Sequence, residues 1–493
     1  MKQEGALSVN LAENIERFEQ LFSGCDDVIR RTMRLGKDIK VECFVAYVEV
    51  AVSNMMLEDS VIGKLLNHMW EMSREEIYSY LQHNGLGISD VKELYTMQEV
   101  SAAMLAGNAI MFIDGYDRAF KIASKGYPNM GVPEAKEEKV LRGSKEGFSD
   151  SVKVNTALIR KRVRDSRLKV KEISTGVRSH TVVAMVYMED LAPDYLLKKI
   201  EEKINSFAID GVLDSGILEQ LMEKTWYSPF PQFLSTERPD RAAMAAMEGR
   251  IVIVSDNSPV ALILPADYNS FFKTTDDYFN HWELVSFIRL LRYAASVLAV
   301  FLPGFYLAAV NYHTQLLPTE LLLSFAAARQ GVPFPAFVEI LFMEVAFELL
   351  REAGVRLPGV IGSTIGIVGG LIIGQAAVNA NLVSPISVIV VAMTALASFA
   401  VPNEEVSSAF RLIKFFMIFL AAGAGLFGLA VGIMLVLIHL SNLTSFGVPY
   451  LEPFAGSYKK EKDTLLRMPV FMLKKRPYFA KKERKFRFIR REK

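Results

Sequence analysis

Four carboxylates and a row of glycines are the residues of this 493-residue chain best placed to do chemistry. Glu344, Glu348 and Glu352 stand four apart in AFVEILFMEVAFELLRE, and Glu339 lies near the same face of the helix that this segment predicts. Phe337, Leu341, Val345 and Leu349 form the apolar face of that helix. The entry Gly331-Val332-Pro333-Phe334-Pro335 suits a helix start. Carboxylates beside or within a membrane are costly unless they face water, a cation or an arginine. One reading is an interfacial helix whose acids are solvated or paired to Arg351 and Arg356. The other is a rim of carboxylates that raises the cation concentration at a pore mouth.

The glycines lie just downstream. Leu357–Asn381 carries no charge, and its apolar part, Val360–Val378, is about as long as a helix needs to be to cross a bilayer core. Gly362, Gly366, Gly370 and Gly374 recur every fourth position and leave a groove without side chains along one helix face. In lipid such a groove lets another backbone approach closely, which is how membrane helices hold together. Ser363, Thr364, Gln375 and Asn379 need protein or water partners at that depth. The segment reads either as an interior helix of a membrane bundle or as a helix repeated around an axis and lining a pore. Ile365, Val368 and Ile372 are then as eligible as the glycines to face the axis.

The elements that must position these residues follow from charge. Net charge is +1, but it is unevenly spread. Residues 1–292 hold 36 basic and 43 acidic side chains, Tyr293–Tyr450 only five and seven, and the tail from Leu451 fifteen and five. The chain therefore divides into a charge-rich N-terminal half, an apolar block and a basic tail. The boundaries expected are 1–140 and 141–283 for two cytoplasmic α/β subdomains, 284–450 for a transmembrane helical domain, and 451–493 for a basic cytoplasmic tail.

In the first subdomain VECFVAYVEV (Val41–Val50) predicts a buried strand, Leu57–Tyr78 a helix, and Val100–Ile113 a strand–helix piece of a soluble core. In the second, a basic helix over Asn155–Arg167 reads as solvated or docked rather than as a nucleic-acid binder. A strand (His180–Met188), a helix (Tyr195–Ile204) and a hairpin (Gly249–Pro265) around Asp256-Asn257-Ser258 follow. FVAYVEV then a helix, and VVAMVYMED then a helix, suggest two related subdomains. Glu237, Arg238 and Asp240 read as turns and ion pairs. The first 30 residues hold no apolar run, so no cleaved signal peptide is expected. Cys25 and Cys43 match no metal or redox spacing and read as reduced, buried thiols.

Four spans are expected: Tyr293–Val310, Val360–Val378, Leu382–Val401 and Phe415–Leu440. The amphipathic Glu helix lies between the first two. Arg289 and Arg292 before the first span, and the basic tail after the last, place both ends in the cytoplasm by the positive-inside rule. Gly423-Ala424-Gly425-Leu426-Phe427-Gly428 spells G-x-G-x-x-G inside an apolar run and reads as helix packing, not dinucleotide binding. The tail KKRPYFAKKERKFRFIRREK suits contact with anionic lipid, and nucleic acid is not expected as a partner. With no triad spelling, phosphate loop or paired metal ligands, no enzyme, cofactor or metal site is expected.

Several stretches resemble one family, the A subunits of bacterial spore germinant receptors. They are PGFYLAAVNYHTQLLPTELL (Pro303–Leu322), AARQGVPFPAFVEILFMEVAFELLREAGVRLP (Ala327–Pro358), IVGGLIIGQAAV (Ile367–Val378) and SFGVPYLEPF (Ser445–Phe454), with RGSKEGF, NTALIRKR, YSPFPQ and TERPD upstream. Length and tail look most like the branch called stage V sporulation protein AF. The resemblance implies a multi-pass protein of the spore inner membrane with both termini on the spore-core side. It further implies a homo-oligomer, a pentamer in this family, passing monovalent cations, chiefly potassium, during germination beside other membrane germination proteins. In that setting Glu339, Glu344, Glu348 and Glu352 would be cation-attracting carboxylates and the glycine helix the pore or packing helix. A membrane scaffold that assembles germination proteins without conducting is the alternative.

Overall fold

The computed structural model describes residues 5–36, 40–51, 72–73, 75–77, 79, 91–122, 126–128, 131–356, 370, 372–452, 454, 463–481 and 486–487. It divides into an α/β unit (Met1–Trp226, Phe233–Ala266 and Leu473–Lys493) and a helical unit (Tyr227–Gln232 and Asp267–Met472).

The α/β unit contains two antiparallel five-stranded sheets. The first uses β1 (Val28–Leu35), β2 (Val41–Val48), β3 (Val91–Leu94), β4 (Ala109–Ile113) and β5 (Ala119–Ile122) in the order β1-β2-β4-β5-β3. The second uses β6 (Leu168–Thr175), β7 (Thr181–Met188), β8 (Leu234–Thr236), β9 (Ile251–Ser255) and β10 (Ala261–Leu264) in the order β6-β7-β9-β10-β8. The register matches as well as the order. Val28 faces Val48 as Leu168 faces Met188, and Cys43 faces Ile113 as Val183 faces Ser255. FVAYVEV and VVAMVYM fall on the second strand of each sheet.

Each sheet is preceded by a helix, α1 (Leu11–Leu21) or α3 (Val152–Arg162), and each third strand is followed by one, α2 (Met97–Leu105) or α6 (Pro239–Met247). One buried asparagine braces the entry to each leading helix. Asn14 accepts from Ser8 N (2.9 Å) and donates to Ser8 O (2.6 Å). Asn155 does the same with Ser149 at 2.8 and 2.6 Å. The second sheet also carries α4 (Asp194–Asn205) and α5 (Ser215–Met222). Leu196, Ile200 and Ile204 of α4 are buried one turn apart, with its lysines and glutamates turned outward.

Some expectations shift. Val100–Ile113 is helix then strand, because Gly107 (φ 90°) turns the chain between α2 and β4. The predicted helix Leu57–Tyr78 lies mostly outside the described residues. The basic helix ends at Arg162, and its Arg160 is buried against Asp27 (2.5 and 2.8 Å), so it is a docking element. Arg238 pairs with Asp240 at 2.7 Å and donates to Ser144 O at 2.7 Å, a structural turn. Both cysteines are free and buried, and burial pushes the Cys43 thiol up to about 12. The described end of the tail folds onto this unit. Lys481 N donates to Leu191 O (2.9 Å), Lys481 Nζ pairs with Asp194 (2.7 Å), and Arg487 pairs with Glu248 (2.5 Å).

The helical unit contains α7 (Trp282–Asn311), α8 (Thr319–Ala328), α9 (Ala336–Arg356), α10 (Pro385–Phe399) and α11 (Glu404–Asn442), with residues 372–379 also helical. Two of these, α7 and α11, are long and apolar enough to cross a membrane by length and composition. Caps explain several starts: Ser384 accepts from Ser387 N ahead of Pro385, and Asn403 accepts from Val406 N ahead of Glu404 and Glu405.

α11 is not one straight helix. At Gly425 the backbone takes φ 59° and ψ −137°. The Phe230 ring lies 6.2 Å from Phe410 and 6.1 Å from His439. In an unbroken helix those two residues would be about 43 Å apart. A Cβ on Gly432 would sit 2.5 Å from Met417 Sδ. The chain therefore folds back at Gly425 into two antiparallel arms, roughly 30 and 25 Å long at about 1.5 Å per residue. The expected single span Phe415–Leu440 is corrected by this reversal, and the GAGLFG run is where it happens. A side chain at Gly425 would meet Tyr312 Cβ at 2.9 Å, so both its dihedrals and its space call for glycine.

Candidate functional site

The polar chemistry of the helical unit is gathered along α9. α9 runs antiparallel to the first arm of α11: Phe337 stacks near Phe419 (5.6 Å), Glu344 meets Lys414, and Glu348 meets Arg411. Lys414 Nζ lies 2.6 Å from Glu344 Oε2 and 3.4 Å from Glu348 Oε1. Arg411 reaches Glu348 at 3.4 Å and Glu404 at 3.1 Å. Nearer the α9 start, Glu339 Oε2 accepts from Ser384 N (2.8 Å) and Ser387 Oγ (2.9 Å), and its other oxygen lies 3.3 Å from Arg329. Tyr306 of α7 reaches Ser387 at 3.5 Å. Towards the α9 end, Arg351 donates to Ser398 Oγ (2.8 Å), with its guanidinium over the Phe399 ring.

This geometry sorts the carboxylates. Glu339 and Glu344 are 0% and 1% exposed, Glu348 is half-buried, and Glu352 is exposed. Of the face expected to be apolar, Val345 and Leu349 are exposed, Leu349 by 67%, while Phe337 and Leu341 are half-buried; Phe342 beside them is exposed as well. α9 thus carries Glu339 and Glu344 inward together with Ala336, Ile340 and Met343, and leaves large apolar side chains outside, an arrangement that suits a helix with lipid on its outer side. Arg351 does bind within the unit, but to Ser398 rather than to the acids; the Arg356 side chain lies outside the described residues.

Of the glycine stripe, Gly362 and Gly366 lie outside the described residues, as do Ile365 and Val368. Gly374 is buried, and a Cβ there would touch Val388 at 3.5 Å. Gly370 has nothing within 4 Å of its would-be Cβ among the described residues, and Ile372 is exposed.

A second polar cluster surrounds Arg289 near the start of α7. Arg289, fully buried, donates to Asp277 (2.7 Å) and Asp463 (2.6 Å), while Tyr278 and Lys273 also hold Asp463 at 2.7 and 3.2 Å. Burial opposes the charged form of Asp463, but Lys273, Arg289 and the Tyr278 hydroxyl outweigh it and hold the carboxyl below the usual range. On the second arm of α11, His439 Nε2 lies 2.8 Å from Ser228 Oγ, and its ring stacks on Phe230.

The family described as Bacillus/Clostridium GerA spore germination protein matches residues 16–479. The chain belongs to this family. Among similar GerA-family proteins, spore germination protein B1 of Bacillus subtilis (strain 168) is 38% identical over 95% of this chain and 96% of its own length. Spore germination protein KA of the same organism is 38% identical over 98% and 88%. An uncharacterized membrane protein, YfkQ, also of that organism, is 38% identical over 96% and 92%. The N-terminal domain of the A subunit of the Bacillus megaterium spore germinant receptor GerK3 aligns with a TM-score of 0.42 at 24% identity, over 53% of this chain and 97% of that one.

In this GerA-family chain the residues missed from sequence are the counter-charges. Lys414 and Arg411 were hidden as the edge of an apolar span. Their signal was there: two basic residues three apart on a helix, facing acids four apart on another. Ser384 and Ser387, which hold Glu339, fall inside the expected span Leu382–Val401 and carried no signal of their own.

Proposed function

We propose that this chain is a membrane subunit acting in spore germination, which as a homo-oligomer passes monovalent cations, potassium among them, across the spore inner membrane. The observation that carries the reading is α9: a helix with four carboxylates, two of them buried, within an apolar helical unit, in a chain of the GerA family. Charged side chains are kept in such surroundings where they serve transport or hold a defined packing. Of the four carboxylates, Glu348, half-buried and paired with Lys414 and Arg411, and Glu352, exposed, are the ones a cation could approach from outside the unit. Gly370, with nothing within 4 Å of a Cβ among the described residues, and Ile372, exposed among them, are the described members of the glycine segment best placed to meet other copies or a pore. The helices alternate in direction, with Arg289, Phe410 and His439 at one end and Tyr312 and Gly425 at the other; that suits an even number of crossings and both termini on the core side. Other membrane germination proteins are the expected partners, and Lys474 and Lys475, exposed in the tail, are its best contacts for anionic lipid.

Potassium efflux from liposomes holding the full-length protein tests this. The wild type is expected to release potassium, and Glu348→Gln/Glu352→Gln to lower the preference for cations over anions several-fold without loss of assembly. A verified oligomer with no efflux, alone or with co-expressed germination membrane proteins, would favour the scaffold reading. That reading draws support from the same seam, because Lys414 with Glu344 is a complete packing device that needs no permeating ion.

A further inference from the structure

The duplicated sheets differ in how their outer edges are covered. At the edge of the second sheet, β6 is capped by the loop that precedes β1: Cys25 bridges Val170, Asp26 N donates to Val170 O (2.9 Å), and Glu172 N donates to the Asp26 carboxylate (2.8 Å). Behind this contact Arg160 of α3 is buried on Asp27 of the same loop. At the edge of the first sheet, β1 is paired to β2 alone among the described residues, with Arg30, Arg31, Thr32 and Arg34 exposed.

The repeat says what would cover it. Counting along the matched strands, Cys25, Asp26 and Asp27 correspond to Asp165, Ser166 and Arg167 of the loop before β6, while Val170 and Glu172 correspond to Arg30 and Thr32. The loops occupy the same place: Glu49 N donates to Asp27 O as Glu189 N donates to Arg167 O, at 2.8 and 2.9 Å. Counting along the leading helices from their braced asparagines, Asn14 and Asn155, Arg160 corresponds to Glu19. Within one chain the buried pair is Arg160 on the helix with Asp27 on the loop. The matching pair is Glu19 on the helix with Arg167 on the loop: opposite charges again, with polarity reversed. Glu19 is exposed, and among the described residues it has no ion pair.

We propose that the loop Arg164–Leu168 of one copy caps the β1 edge of the next, with Arg167 on Glu19 and Ser166 on Thr32. The contact is heterologous, the same loop-on-edge docking carried from repeat to repeat across a chain boundary, so it propagates head to tail and closes into a ring if its rotation allows. It rests on the oligomeric reading given above and names the surface that reading lacks.

The test uses the full-length protein in detergent or nanodiscs. Arg30→Cys and Ser166→Cys are introduced singly and together and treated with a short thiol cross-linker. The double variant is expected to give a ladder of dimer, trimer and higher species, and a mixture of the two single variants dimers only. Glu19→Arg should reduce the ladder at least several-fold, and adding Arg167→Glu should restore it. Cross-linking by either single variant alone at the level of the double would overturn the proposal, since it would mean an edge-to-edge or loop-to-loop contact. Native mass measured without cross-linker separates the remaining failures. An oligomer without the ladder rejects this surface and leaves the oligomer standing; a lone monomer rejects both.

Discussion

α4 of the α/β unit and α9 of the helical unit carry the same kind of periodicity and are packed opposite ways round. α4 buries Leu196, Ile200 and Ile204 and leaves its lysines and glutamates outside. α9 buries Glu339 and Glu344 and leaves Phe342, Val345 and Leu349 outside. Helical spacing fixes which residues share a face; the surrounding medium fixes which face goes in. In water the apolar stripe is driven inward. Where the outside is hydrocarbon, apolar side chains gain nothing by leaving it, and the charges need partners within the protein. The buried ion pairs of the two units sharpen the contrast. Arg160–Asp27 sits where two sheets of a conventional apolar core dock, whereas Glu344–Lys414 is part of a continuous polar seam.

The strongest test of that contrast removes one side of the seam. Lys414→Met leaves Glu344 buried without its ammonium and is expected to lower stability by about 3–5 kcal/mol in detergent, whereas Lys414→Met/Glu344→Met should recover most of the loss. Thermal unfolding with a far-ultraviolet readout measures both, and a single variant with no loss would show that α9 is not held by its charges.

Next in size is the Asp463 cluster around Arg289 at the start of α7. Its carboxyl is held below the ordinary value of 3.8, so its contribution is fully present above that value and is lost as pH falls through the lowered one. Asp463→Asn is expected to cost about 3 kcal/mol at neutral pH and to flatten the acid limb of the stability profile. An unchanged acid limb would put the acid sensitivity elsewhere.

A smaller effect is expected at the arm reversal. Gly425→Ala places a side chain in a conformation that L residues rarely adopt and against Tyr312, at about 1–3 kcal/mol, while Gly423→Ala, with nothing within 4 Å, should be neutral within about 0.5 kcal/mol. Equal behaviour of the two would argue for a straight helix and break the two-arm description. The smallest effect concerns the repeat: Asn14→Ala and Asn155→Ala each remove a two-bond brace and should each cost about 1–2 kcal/mol, and a large inequality would show that one repeat depends on the brace more than the other.

Much of the α/β unit could be read directly. β2, β7, α4 and the β9–β10 hairpin fall within a few residues of where alternation, helical spacing and Asp256-Asn257-Ser258 put them, because local chemistry decides such elements. The likeness of the two halves was visible in FVAYVEV and VVAMVYM, but their shared register was not, since register is a property of paired strands. The apolar block and its acidic helix were equally plain from composition and spacing. What the sequence could not decide was which way α9 faces, that Lys414 and Arg411 lie across from Glu344 and Glu348, and that α11 doubles back at Gly425. Each of these joins residues dozens of positions apart or depends on one glycine's dihedral angles. Hydropathy along the chain sums over a window and carries no information about either. The carboxylates and their spacing were set by the sequence; whether each is compensated or free was set only when the helices packed.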